Sequence, residues 1–92
     1  MNTPETPSTP STGDGAAYED AQEVLGAVLA WYSRAMMEAR RSGDEQRLEE
    51  LTERMRACAE DRRRLVEATP EEIERTTELY GERLRDLEAE KN

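Results

Sequence analysis

Val24-Leu25-Gly26-Ala27-Val28-Leu29-Ala30-Trp31-Tyr32-Ser33 is a run of ten uncharged residues in a chain in which 38% of residues are charged. Wound into a helix, it is apolar on more of its circumference than one partner helix covers, whereas the sequence after it carries a single apolar stripe. The run therefore predicts a helix buried from several sides, and the rest of the chain is read by asking what buries it.

Moving outward, Ala21, Leu25, Val28, Tyr32, Ala35 and Ala39 recur at alternating spacings of four and three. Leu48, Leu51, Met55, Cys58, Arg62 and Leu65 repeat the pattern. Both are heptad seams. Between them, Ser42-Gly43-Asp44 is a stop and a restart, with Gly at the C-terminal cap position and Asp as the N-cap of the next helix. Folding back at this turn sets Ala39 level with Leu48, Tyr32 with Met55, Val28 with Cys58 and Leu25 with Arg62, so the stripes match along their length.

Thr69-Pro70-Glu71-Glu72 is a second restart: Thr as N-cap, Pro at the first helical position, and Glu72 placed to complete a capping box. Ile73, Thr77, Tyr80, Leu84 and Leu87 then form a thinner stripe, diluted by Gly81, which predicts a third, weaker helix returning along the second. The leading residues 1–15 are rich in Thr, Ser and Pro, with almost nothing apolar to offset the entropy of ordering, and read as a disordered leader. The expected architecture is all-α: an antiparallel, coiled-coil-like helical hairpin with a third helix. The helices are placed over about 16–42, 45–67 and 70–90.

Residues 16–92 are few for a self-sufficient core, so oligomerisation is a reasonable source of further buried surface. Val24, Leu29, Trp31 and Met36 lie off the hairpin seam, and the third helix could cover one flank of them and a second protomer the other; a monomeric three-helix bundle with Trp31 in its own core is the competing reading. The expected assembly is a homodimeric helical bundle, with Val24, Leu25, Val28, Leu29, Trp31, Tyr32 and Met36 at or near the interface.

The net charge of −9 is spread over the whole chain, at −2 for residues 1–15, −1 for 16–42, −2 for 43–68 and −4 for 69–92. With no basic segment, attraction to phosphate is absent, which argues against nucleic acid or an anionic membrane as partner and favours a protein with a basic surface. One cysteine and no histidine exclude an internal disulfide framework, a Cys/His zinc site and Cys/His catalysis. No cofactor is expected.

The N-terminus shows neither a basic nor a hydrophobic signal region, and the ten-residue run is too short to span a bilayer, so a cytoplasmic setting is expected. Twelve arginines to one lysine suggest a high-GC bacterial source.

Arg62 stands on a seam position where Leu or Ile belongs. It is expected to reach a carboxylate, with Asp20, Glu23 and Glu78 in range, or else to meet an anion or a partner. Cys58, on the same seam, reads as a small buried hydrophobe. No phosphate loop, nucleophile elbow or other catalytic signature appears, and no motif carries a resemblance to a known family. The expected function is a non-enzymatic protein–protein interaction module, a small adaptor, regulator or assembly partner acting as a helical homodimer. The alternative is a small-molecule sensor or helical-bundle enzyme with a pocket near Trp31 and Arg62, with Arg34 as its second cation.

Overall fold

The computed structural model describes the backbone of residues 5–91 and the side chains of residues 15–90. Three helices succeed one another: α1 over Glu5–Ser42, α2 over Glu45–Arg64 and, after a single 3-10 turn at Leu65–Glu67, α3 over Pro70–Lys91. No strand occurs among the described residues. The chain is an all-α bundle.

Each junction has its cause in local chemistry. Gly43 adopts φ +74°, a left-handed conformation that a side chain disfavours. Its N–H donates to the Arg40 carbonyl at 3.2 Å and that of Asp44 to the Ala39 carbonyl at 2.9 Å. This pair of bonds closes the last turn of α1 as a Schellman motif. One residue later the Asp44 carboxylate accepts from the Arg47 N–H at 3.1 Å and starts α2. At the second junction the capping box forms in both directions: the Glu72 N–H donates to Thr69 Oγ1 at 3.1 Å, and the Thr69 N–H donates to Glu72 Oε1 at 2.9 Å.

The helical span of α1 begins at Glu5, ahead of the expected start near Ala16. Pro7 is compatible with that span, because the first four N–H groups of a helix have no intrahelical acceptor to lose; Pro10 removes one interior bond. Of the leader expected over residues 1–15, residues 1–4 and the side chains of 5–14 lie outside the described residues.

The packing corrects one expectation. α3 runs antiparallel to α2, as its stripe implies, but it docks along α1, and α2 and α3 barely touch through their backbones. The reason lies in the flanks of the helices. Ala17, Val24 and Trp31 recur every seven residues beside the hairpin seam of α1, giving it a second apolar edge in phase with Ile73, Tyr80 and Leu87 of α3. The edge of α2 on the same side carries Arg54 and Asp61. The core is thus centred on α1, where Ala21, Leu25, Val28 and Tyr32 have no exposed surface.

Candidate functional site

The residues that the sequence places at an interface divide by depth. Leu25, Val28 and Tyr32 are fully enclosed by the chain's own helices and have no surface left for a partner. Trp31 is 8% exposed and packs edge-to-face on Tyr32, with ring centroids 5.9 Å apart at 84°. Val24, Leu29 and Met36 are half-buried around that core. A single copy of the chain therefore covers most of Trp31 by itself, through α3 docking on the Ala17–Val24–Trp31 edge.

The two cations of the alternative pocket do not converge. Arg62 lies on the α2 side of α1, where its Nε donates to the Gln22 side-chain oxygen at 2.6 Å and its guanidinium rests over Gly26. Its partner is a neutral amide, in place of the expected Asp20, Glu23 or Glu78. A Cβ built on Gly26 would stand 3.4 Å from the guanidinium, an ordinary contact, so an alanine would also fit beneath Arg62. Trp31 and Arg34 instead line an open groove on the other flank, together with Arg41, Arg47, Asp44 and Glu90. Both guanidinium and carboxylate groups line that groove. Among the described residues, the groove that holds Trp31 and Arg34 does not include Arg62.

A second cluster, not foreseen from the sequence, bridges α2 and α3. The Tyr80 hydroxyl donates to Asp61 Oδ2 at 2.5 Å, Arg83 sits over the Tyr80 ring at 5.3 Å, and Cys58 points its Sγ at the Leu25 carbonyl at 3.7 Å. Burial, and then the neighbouring Asp61 charge, push the Cys58 thiol up to about 11. Burial also raises the Tyr80 hydroxyl, reinforced by its hydrogen bond to Asp61. Both groups are held in their neutral forms, which is the behaviour of a structural thiol and not of a nucleophile. The cluster joins residues on two different helices, 19 positions apart for Tyr80 and Asp61, so it is not readable before the register of α3 is known.

The feature that the depth pattern exposes is the outer face of α1. Glu19, Glu23, Ala27, Ala30, Arg34, Met37 and Arg41, at spacings of four and three, are all exposed. They form a stripe on the side of α1 opposite its core seam, and its C-terminal members Arg34, Met37 and Arg41 also line the groove shared with Arg47 of α2 and Glu90 of α3. Met37 is 55% exposed, one of three large apolar side chains left open among the described residues, with Val66 and Leu79. Ion pairs within the chain join Arg63 to Glu60 and Arg64 to Glu60 and Asp61, so none engages the charges of this stripe among the described residues.

No group of three or more His, Cys, Asp or Glu among the described residues is placed to hold a metal ion. No described helix is long and apolar enough to cross a membrane. No protein-family model matches the chain, and comparison with curated proteins and with solved structures finds no match.

Proposed function

We propose that the chain is a non-enzymatic protein–protein interaction module that acts as a helical homodimer assembled through α1. The observation that carries this reading is the exposure pattern over the uncharged run. From Val24 to Ser33 no face of α1 bears a charge, yet Ala27 and Ala30 open to solvent and Gly26 and Leu29 are only half-buried. In a chain that otherwise solvates its surfaces with Glu and Arg, three helical turns of uncharged outer surface suit contact with another protein. The dimer would leave the outer faces of α2 and α3 free. The excess of carboxylates there, −4 over residues 69–92, suits a partner with a basic surface in the cytoplasm.

Light scattering coupled to size exclusion, over a dilution series, tests the reading. A mass that falls from twice to once the chain mass on dilution is the expected result. A cooperatively folded monomer at roughly 100 µM removes it.

The groove beside Trp31 supports a second reading, binding of a small anionic ligand between Arg34, Arg41 and Arg47. Trp31 emission reports on it directly. A saturable change with anionic metabolites that Arg34→Ala abolishes would favour that reading.

A further inference from the structure

We infer that the second copy lies antiparallel across the outer face of α1, with a two-fold axis between Ala27 and Ala30 and with Glu23 of each copy against Arg34 of the other. This deepens the homodimer reading and rests on it. Charge is distributed unevenly along the exposed stripe. Its N-terminal half carries Glu19 and Glu23, its C-terminal half Arg34 and Arg41, and its centre the small side chains of Ala27 and Ala30. At 1.5 Å per residue, Glu23 and Arg34 stand at equal distances, about 8 Å, on either side of the midpoint between Ala27 and Ala30.

A two-fold axis through that midpoint reverses the stripe onto itself. Ala27 then meets Ala30 of the second copy, Glu23 meets Arg34, and Glu19 falls among Met37 and Arg41, which makes the surface self-complementary in the way an isologous dimer requires. A parallel pairing would instead set Glu against Glu and Arg against Arg. The small central residues let the two backbones approach closely, toward the short end of the range for packed helices. The same axis brings Asp20 of one copy level with Glu38 of the other at one edge of the face, a like-charge pair that has to stay solvated at the rim while the central Glu23–Arg34 pairs carry the complementarity.

The helix dipole does not account for this arrangement. Arg40 and Arg41 sit in the last turn of α1, but Glu19, Glu23 and Arg34 are turns away from either end, beyond the reach of the terminal partial charges. None of the stripe's charges takes part in the ion pairs found among the described residues.

Charge reversal and mixing, read by sedimentation velocity, test the geometry. Glu23→Arg and Arg34→Glu each place like charges together twice across the axis and are expected to weaken self-association by roughly tenfold. An equimolar mixture of the two variants restores opposite charges at both positions, so a heterodimer of near wild-type affinity is expected. A chain carrying both substitutions should regain homodimerisation. Because both residues are exposed, circular dichroism should show unchanged helicity, with melting lowered only as far as the weaker association requires. A wild-type dimer whose affinity ignores both reversals, or a mixture that does not recover, overturns this geometry while leaving self-association standing. A monomeric wild-type chain removes both.

Discussion

The Tyr32 hydroxyl is the one buried side-chain polar atom without a hydrogen-bond partner among the described residues, on a side chain with no exposed surface. Burying an unpaired hydroxyl costs about 1–3 kcal/mol, while the ring that carries it fills the centre of the core. Tyr32→Phe keeps the ring and deletes the orphan, so urea unfolding should show the variant equal to or about 1 kcal/mol more stable than the parent. A loss of more than that would mean the hydroxyl has a partner. Cys58 makes a prediction of opposite character, since its thiol is neutral in the fold and its pKa is pushed from 9.0 up to about 11. The folded state therefore favours the protonated form. Its contribution is fully present below pH 9 and is lost as pH rises from 9 to 11, with Tyr80 adding to the loss at the alkaline end. Melting temperatures should be level through neutral pH and fall above pH 9, and Cys58→Ala should flatten the first part of that fall while lowering the whole curve.

At the level of single helices, Gly81 lies inside α3 with nothing within 4 Å of the position its Cβ would occupy. No turn or close approach calls for it. Gly81→Ala should then stabilise by about 0.5–1 kcal/mol, read as a raised urea midpoint at constant slope. Gly43 at φ +74° is the contrast, where alanine would strain the turn. These two glycines also show what a sequence makes legible. The turn at Ser42-Gly43-Asp44 and the box at Thr69 and Glu72 are readable because each is closed by hydrogen bonds among residues no more than five apart. The docking partner of α3 is not, because its heptad fits an α1 edge or an α2 edge equally well. The choice falls to flanking residues, Val24 and Trp31 on one side against Arg54 and Asp61 on the other. The candidate interface shifts for the same reason. Once α3 takes the Trp31 edge, the surface left for a partner moves around α1 to Ala27, Ala30 and Arg34, which no seam assigns.

In the whole molecule α1 is the shared element, packed by α2 on one flank and α3 on the other, while the two outer helices meet through side chains such as Tyr80 and Asp61. Such an arrangement is unequal in its local stability. Opening α3 exposes the Trp31 edge, opening α2 exposes the seam with Cys58 and Leu51, but the middle of α1 is freed only when both have gone. Native-state hydrogen exchange should accordingly find the slowest amides in α1 between Ala21 and Ala39, near the global unfolding free energy. The amides of α2 and α3 should exchange faster, through separate openings. Trp31→Ala sharpens the test, because it removes the largest side chain on the α3 edge and should cost about 3 kcal/mol. If α3 is held by that edge, its amides should lose protection preferentially, with those of α2 less affected. Uniform loss across all three helices would mean that α2 and α3 are coupled more tightly than their sparse contact implies, and that the chain opens as one unit.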